Sequence, residues 1–272
     1  MENLIVVRGG GDLATGTIYK LYQCGFPVLI LETSTPSAIR RNVSFSEAVY
    51  QGTQTVEGVT CVKADSPEQA AALLRTGKLV VLVDPEGHSI AGLRPAAVVD
   101  AILAKRNLGT HRGMAPVTVG LGPGFTAGAD VDAVVETNRG HSLGKVIYSG
   151  AAIPNTGVPG IIGGFGKERV IHSPATGILR NIAKITDTVV KGETIALVET
   201  ETGTVPVLAS ITGLLRGLIR EGYPVTEGFK IADIDPRAEE YDNCFTISDK
   251  ARCIAGGVLE AILHLRGRQQ DG

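Results

Sequence analysis

Residues 4–32 read LIVVRGGGDLATGTIYKLYQCGFPVLILE, and this stretch decides the predicted fold. The continuous apolar run 4–7 leads into three glycines, which is typical of a buried parallel strand followed by a tight turn. A helix is predicted from about Ala14 to Gln23, and a second apolar run, 28–32, predicts the next strand. Strand, helix and strand together predict one βαβ unit.

The same alternation continues along the first part of the chain. It predicts an α/β fold, namely a Rossmann-like, doubly wound parallel sheet in a dinucleotide-binding domain spanning 1–165. In such a sheet, ligands bind beyond the carboxyl ends of the strands. Further strands are predicted at 59–63, 79–83, 116–120, 132–136 and 145–148, and helices near 67–75 and 95–105.

An internal repeat marks a second domain. A shift of 36 residues aligns 173–199 on 209–235 without a gap and with eight identical positions. The repeat resembles the barrel-sandwich hybrid fold of biotinyl and lipoyl domains, so 170–236 is predicted to be a small all-β module of that kind. The joining hairpin, 199–204, has no lysine, which predicts that no biotin or lipoate is attached covalently. An apolar stripe then predicts a C-terminal helix in 245–266 that packs on the body.

The composition excludes several classes of protein. With 43% apolar residues among 272 and a mean hydropathy of +0.17, the chain can bury a core, which excludes a disordered protein. The 26 basic and 28 acidic residues leave a net charge of −2, which offers no general attraction to nucleic acid or anionic lipid. The absence of a signal peptide pattern, of a membrane-spanning apolar run and of paired cysteines predicts a cytoplasmic protein with reduced thiols.

The strongest chemical signal is the pattern Gly9-x-Gly11-x-x-Ala14 between the first strand and its helix. Glycines let the backbone approach a pyrophosphate at the helix N-terminus, and Glu32, 21 residues beyond Gly11, can accept a hydrogen bond from a ribose hydroxyl. The alternative is a glycine turn that merely packs the helix on the strand. The predicted cofactor-binding residues here are Gly9, Gly10, Gly11, Asp12 and Glu32.

Two arginines, Arg40 and Arg41, follow the second strand. They are predicted to bind an anion of the cofactor, and their position is one where a 2′-phosphate could be bound. Glu32 would repel that phosphate, so the two arginines could serve another anion or form an ordinary solvated turn.

A second glycine loop, 120–128, follows the strand predicted at 116–120. Its glycines Gly122 and Gly124 are predicted to bind the cofactor, together with Arg139. Asp130 and His141 are the predicted catalytic residues, since a carboxylate and an imidazole can both transfer protons, the imidazole near neutral pH. The alternative is that the acidic residues belong to ordinary turns. The spacing of Asp130, Asp132 and His141 matches no standard ligand motif, so no metal site is predicted.

Five stretches of the sequence carry a resemblance to a known family, namely Val7–Gly16, Ala38–Val49, Val119–Gly128, Glu136–His141 and Ala251–Glu260. In these stretches the chain resembles the YqeB-type accessory family of selenium-dependent molybdenum hydroxylases. The resemblance implies a role in maturing a molybdenum enzyme that needs labile selenium, in company with that hydroxylase and with cofactor-insertion proteins. It implies no catalytic residue.

Three hypotheses for function therefore stand. The leading one is a maturation factor that binds a dinucleotide, either NAD(P) or a dinucleotide form of the molybdenum cofactor, because both carry a pyrophosphate. The second is a free-standing NAD-dependent oxidoreductase in which Asp130 or His141 transfers a proton. The third is a non-catalytic scaffold that docks a molybdenum enzyme. A homo-oligomer is compatible with each of them.

Overall fold

A computed structural model describes residues 3–155, 157, 160–237 and 239–270 of the chain. The chain divides into two compact units, and a short segment of the second lies within the sequence of the first. Residues 1–2, 156 and 158–159 of the predicted domain 1–165 lie outside the described part. The first unit comprises 1–36, 44–155 and 247–272, and the second comprises 37–43 and 156–246.

A nine-stranded mixed sheet forms the centre of the first unit, in the order β10-β9-β7-β6-β1-β2-β5-β4-β3. The strands from β9 to β4 in this order are parallel, whereas the edge strands β10 and β3 pair antiparallel. The strands are β1 (Ile5–Arg8), β2 (Val28–Glu32), β3 (Thr53–Val56), β4 (Val59–Ala64), β5 (Leu79–Val83), β6 (Ala97–Asp100), β7 (Val117–Leu121), β9 (Ala133–Val135) and β10 (Val146–Ile147), with β8 (Thr126–Ala127) and β11 (Gly150–Ala151) forming a separate pair.

The helices of the first unit include one long C-terminal helix. Ser66 caps the third helix by accepting a hydrogen bond from the Gln69 backbone nitrogen. Gly16 lets the first helix approach the last one closely, because a Cβ there would lie 2.7 Å from the backbone of Ala251. No helix in the described part of the chain is long and apolar enough to cross a membrane. The helices are α1 (Asp12–Gln23), α2 (Ala48–Gln51), α3 (Pro67–Arg75), α4 (Ser89–Leu93) and α5 (Asp249–Gln270).

The predicted Rossmann-like, doubly wound parallel sheet is wrong. The large sheet is mixed, and the stretch 95–105, predicted as a helix, contains strand β6 instead. Residues 101–132 contain no α-helix. The connection from β6 to β7 and the connection from β7 to β9 therefore lack the helices that a doubly wound sheet requires. The misassignment has a physical cause: Val98 and Val99 are fully buried in a short apolar run, and such a run has no helical period of its own.

The second unit contains two four-stranded antiparallel sheets, ordered β12-β19-β17-β14 and β16-β15-β13-β18. Each half of the repeat contains one short strand that pairs with a strand of the other half. The short strand β14 of the first half pairs with β17, and the short strand β18 of the second half pairs with β13. The strands are β12 (Val170–His172), β13 (Gly177–Asn181), β14 (Thr188–Val189), β15 (Thr194–Thr200), β16 (Gly203–Leu208), β17 (Gly213–Leu218), β18 (Pro224–Val225) and β19 (Lys230–Asp235).

The predicted barrel-sandwich hybrid module is corrected to this pair of antiparallel sheets. A repeat predicts which segments are alike, but sheet pairing is a long-range property that the repeat does not contain. Two glycines that occupy the same position in the two halves of the repeat have a clear structural role. A Cβ on Gly177 would lie 2.1 Å from the Glu199 carbonyl oxygen, and one on Gly213 would lie 2.3 Å from that of Asp235.

The tight turn between β15 and β16 gives a direct test of covalent modification. The turn comprises Thr200–Gly203, and the Thr200 hydroxyl donates to the Gly203 carbonyl. This turn has no lysine amine to which biotin or lipoate could be attached. We therefore expect protein purified from cells with active biotinyl and lipoyl ligases to have its unmodified mass. Intact-mass spectrometry measures this, and an excess equal to either group would contradict the prediction.

Candidate functional site

A cavity of about 470 Å³ opens at one edge of the large sheet. Strands β1, β2, β5 and β6 are parallel neighbours, so their carboxyl ends and the loops that follow them meet at this edge. The cavity combines apolar walls with a few charged groups. It is lined by Arg8, Gly9, Leu31, Glu32, Thr33, Pro85, Glu86, Ile102 and Leu108.

The first glycine loop contains two glycines that packing explains and one that it does not. Gly9 has φ +93°, and a Cβ there would lie 3.0 Å from the backbone of Ala101. A Cβ on Gly10 would lie 3.0 Å from the Ser46 backbone nitrogen. A Cβ on Gly11 would meet nothing within 4 Å, although Gly11 immediately precedes α1. Space is therefore open at Gly11, where the first backbone N–H groups of α1 have no helical acceptors.

Glu32 lies at the end of β2 and accepts two backbone hydrogen bonds. Its Oε2 accepts from the Gly10 nitrogen and its Oε1 from the Thr33 nitrogen, both at 2.8 Å. Burial raises the pKa of Glu32, and these two hydrogen bonds oppose the rise only in part. Each carboxylate oxygen can accept more than one hydrogen bond, so Glu32 can still receive a hydroxyl from a ligand.

Arg8 lines the cavity and holds its loops, and no motif in the sequence indicated it. Its side chain is 2% exposed, and Nη2 donates to the carbonyl oxygens of Pro85 at 2.9 Å and Leu108 at 3.3 Å. Its Nη1 donates to the Thr110 hydroxyl at 2.5 Å and lies 3.7 Å from an oxygen of Asp100. Arg8 thus joins the two loops that form opposite parts of the cavity lining.

Asp100 completes this buried network. Thr110 donates its hydroxyl to Asp100 at 2.6 Å, and the Ile102 backbone nitrogen donates to the same carboxylate. Burial raises the pKa of Asp100, while these hydrogen bonds and the charge of Arg8 oppose the rise. One sequence signal could have identified the network, namely a charged residue that directly ends each of two apolar runs, at Arg8 and at Asp100.

The structure places Arg40 and Arg41 in the second unit, not among the residues that line the cavity. Arg40 is buried, and its Nη2 donates to the Asn243 carbonyl at 2.8 Å. The Nε of Arg41 donates to the Leu218 carbonyl at 2.8 Å. Both guanidinium groups therefore hold backbone of the second unit.

The second glycine loop emerges at the same edge of the sheet as the first. Arg8, Asp100 and Gly120 are in register on the parallel strands β1, β6 and β7, so the loops that follow these strands lie at one edge. Packing explains Gly122 and Gly124, however. A Cβ on Gly122 would lie 2.5 Å from the Thr137 hydroxyl, and one on Gly124 would lie 2.7 Å from the Arg106 nitrogen.

The predicted catalytic residues do not line the cavity. Asp130 accepts from the Thr126 nitrogen at 2.8 Å within its own turn, and His141 is exposed. Asp132 accepts from the nitrogen and the hydroxyl of Thr118 and so links β7 to the residue that precedes β9. Among the described residues, no group of three or more His, Cys, Asp or Glu side chains could hold a metal ion.

Arg139 and Asp12 contribute to a charged cluster around Lys250, a residue that the sequence analysis did not single out. Arg139 forms two hydrogen bonds with Asp249, at 2.9 and 3.1 Å. Burial lowers the pKa of Lys250 and the charge of Arg139 lowers it further, whereas Asp12, Glu136 and Asp249 oppose the shift. Charged residues in the first turns of α1 and α5 therefore lie close enough to interact electrostatically.

Comparisons with known proteins bear on the family of the chain. No family model matches it. The chain is 53% identical over 265 residues to the uncharacterized protein YqeB of Escherichia coli strain K12, and the match covers 97% of this chain. This identity supports the YqeB-type family name. The match covers 48% of YqeB, so the chain spans about half the length of that relative.

Solved structures show only distant likeness to this chain. One is the product-bound ectoine utilization protein EutE (DoeB) from Ruegeria pomeroyi, with 13% identity, coverage of 85% of this chain and 56% of that one, and a TM-score of 0.24. Another is a succinylglutamate desuccinylase/aspartoacylase from Rhodobacter sphaeroides, with 13% identity, coverage of 85% and 84%, and a TM-score of 0.29. Neither assigns an activity to this chain.

Proposed function

We propose that this protein binds a dinucleotide at the carboxyl edge of its large sheet. The pyrophosphate would lie against the first turn of α1 beside Gly11, and a ribose would lie at Glu32. The observation that carries the proposal is the open space at Gly11, because packing explains Gly9 and Gly10 but leaves Gly11 without a structural reason. Backbone N–H groups at a helix start favour a phosphate in such a space.

The cavity has the properties that one end of a dinucleotide requires. Its volume of about 470 Å³ lies within the usual range of small-molecule sites. Leu31, Ile102 and Leu108 supply apolar contact for a planar base, and Glu32 supplies hydrogen-bond acceptors for ribose hydroxyls. Nicotinamide dinucleotides and dinucleotide forms of the molybdenum cofactor both meet this description.

We further propose that the bound dinucleotide serves the maturation of selenium-dependent molybdenum hydroxylases in the cytoplasm. The resemblance to the YqeB-type accessory family supports this role, and the identity to YqeB supports the family name on which it rests. The partners would be the hydroxylase and its cofactor-insertion proteins. We do not propose the free-standing oxidoreductase, because Asp130 and His141 do not line the cavity.

Replacing Gly11 with valine tests the binding site. Its φ of −65° and ψ of 179° suit any residue, and its Cβ meets no atom, so the cost in stability should be about 1 kcal/mol or less. The branched side chain would occupy the space proposed for the pyrophosphate. Isothermal titration calorimetry with nicotinamide and molybdopterin dinucleotides should therefore show at least a tenfold loss of affinity, on the order of 1.4 kcal/mol.

A matched control is available in α5. Gly256 is exposed, and a Cβ there also meets nothing within 4 Å, so Gly256→Val adds the same atoms outside the first glycine loop. We expect this variant to bind like the wild type. Unchanged affinity in Gly11→Val, or a wild type that binds no dinucleotide at all, would contradict the proposed site.

The proposed role in maturation has its own measurement. Cells that lack this protein should produce a hydroxylase with low activity, and the wild-type gene should restore it. Gly11→Val should fail to restore it although the variant accumulates in folded form, whereas Gly256→Val should succeed. Full restoration by a Gly11→Val protein that has lost dinucleotide binding would separate the role from the site.

A further inference from the structure

The charges around the cavity favour one chemical form of the proposed ligand. Two carboxylates, Glu32 and Glu86, line it from different loops, while Arg8 is the single cation among the lining residues. The charge of Arg8 is paired with that of Asp100, 3.7 Å away, and both its Nη atoms donate to protein oxygens, whereas its buried Nε has no hydrogen-bond partner among the described residues. The lining therefore presents acceptors and negative charge to a ligand.

Hydroxyl and phosphate groups would meet this lining very differently. A ribose diol donates hydrogen bonds, which Glu32 can accept while it keeps its contacts with Gly10 and Thr33. A phosphate on the same ribose accepts hydrogen bonds and carries negative charge, so Glu32 and Glu86 would repel it, and the charge of Arg8, the cation of the lining, is already paired with Asp100. Like charges placed side by side are a strong means of rejecting a wrong ligand.

The two arginines that could have bound a 2′-phosphate do not alter this balance. Arg40 and Arg41 donate to backbone carbonyls of the second unit and are absent from the cavity lining. The sequence pattern alone left both possibilities open. The charges that the proposed ligand would meet are therefore those of the lining residues.

We propose that the cavity selects a nucleoside with a free 2′,3′-diol and rejects its 2′-phosphorylated form, with Glu32 and Glu86 as the specificity-determining residues. This inference rests on the proposed dinucleotide site. It narrows the nicotinamide ligands to the form without a 2′-phosphate. It also fits a molybdenum cofactor dinucleotide whose ribose diol is unmodified.

Calorimetric titration with NAD⁺ and NADP⁺ isolates the 2′-phosphate, because the two probes differ in that group alone. At low ionic strength, NAD⁺ should bind the wild type at least tenfold more tightly. Glu86→Gln should reduce this ratio several-fold by strengthening the binding of NADP⁺ relative to that of NAD⁺, since Glu86 acts by charge in this proposal. The ratio should also fall as salt is added, because ions screen exposed charges.

Glu68→Gln is the control for the change in net charge. Glu68 is fully exposed in the first turn of α3 and does not line the cavity, so this variant should keep the wild-type ratio. Equal affinities of the wild type for NAD⁺ and NADP⁺ would overturn the inference and leave the proposed dinucleotide site intact. If neither probe bound, the inference would be overturned, and nicotinamide dinucleotides would no longer be candidate ligands. A separate titration with molybdopterin dinucleotide would then test the proposed dinucleotide site.

Discussion

Replacing Arg8 with methionine should lower the free energy of unfolding by about 3–5 kcal/mol at pH 7, which is the usual cost of breaking a buried ion pair from one side. Arg8 and Asp100 are both buried, and their charged atoms lie 3.7 Å apart. Methionine fills part of the space but leaves the Asp100 carboxylate without its cation. It also leaves the carbonyl groups of Pro85 and Leu108 without their donor.

The loss should depend on pH. Burial already raises the pKa of Asp100, and removing the positive charge of Arg8 should raise it further. A carboxyl group whose folded pKa is raised binds its proton more tightly in the folded protein, so its burden on stability declines as the pH falls towards that pKa. Urea denaturation at pH 7 and pH 5 should therefore show a smaller difference between variant and wild type at pH 5.

Two further variants complete this test. Arg75 is an exposed arginine at the end of α3, and Arg75→Met should change stability by no more than about 0.5 kcal/mol. Arg8→Met combined with Asp100→Asn should recover part of the loss, since the buried charge is then absent. A loss below about 1 kcal/mol in the single variant, or one that is equal at both pH values, would contradict a paired buried network.

Local signals predicted the individual elements well. Helix α3 was predicted at 67–75 and lies at Pro67–Arg75, because Ser66 supplies the cap and a proline suits the first turn. Strand β5 was predicted at 79–83 and lies at Leu79–Val83, since its apolar run is short and bounded by turn residues. These features depend on neighbours within a few positions, which a single sequence contains.

The fold class was not predicted, because it depends on distant pairing. The short run around Val98 is compatible with helix or strand, and only its place between β1 and β7 makes it a strand. The same holds for the repeat, whose halves are alike in sequence but contribute strands to two different sheets. Sheet order and direction are set by contacts among residues far apart in the chain, and no local pattern reports them.

The candidate site shows the same division. Gly11 and Glu32 could be predicted because one βαβ unit places them at one edge of the sheet. The role of Arg8 could not be predicted, since Thr110 is 102 positions away and meets Arg8 only through the register of β1 and β6. The residues of the second glycine loop illustrate the converse, because a glycine pattern alone does not distinguish ligand contact from close packing.

Replacing Gly124 with alanine should destabilise the protein by about 2–5 kcal/mol, because two costs combine. Gly124 has φ +112°, a conformation that costs a residue with a Cβ roughly 1–2 kcal/mol or more. The new Cβ would also lie 2.7 Å from the backbone nitrogen of Arg106 and 2.8 Å from its Cα. A backbone cannot give way as a flexible side chain can, so this overlap should add roughly 1–3 kcal/mol.

Gly128 in the same loop separates the two costs. It has φ +88°, but a Cβ there meets nothing within 4 Å, so Gly128→Ala should lose only the conformational part, roughly 1–2 kcal/mol. Urea denaturation of both variants measures the difference. Equal losses would contradict the close packing of Gly124 on Arg106 and return this loop to the ligand-binding role that its glycines predicted.

Ligand affinity should follow the same contrast. Arg106 lies between Ile102 and Leu108, which both line the cavity, so a Cβ that displaces Arg106 also displaces a wall of the cavity. We therefore expect Gly124→Ala to weaken NAD⁺ binding as well as stability, and Gly128→Ala to leave binding near the wild-type value. Gly11→Val should show the opposite combination, with affinity lost and stability nearly kept. Replacing a glycine that is required for packing should thus lower the free energy of unfolding, whereas replacing a glycine that makes room for a ligand should lower the affinity and leave the free energy of unfolding nearly unchanged.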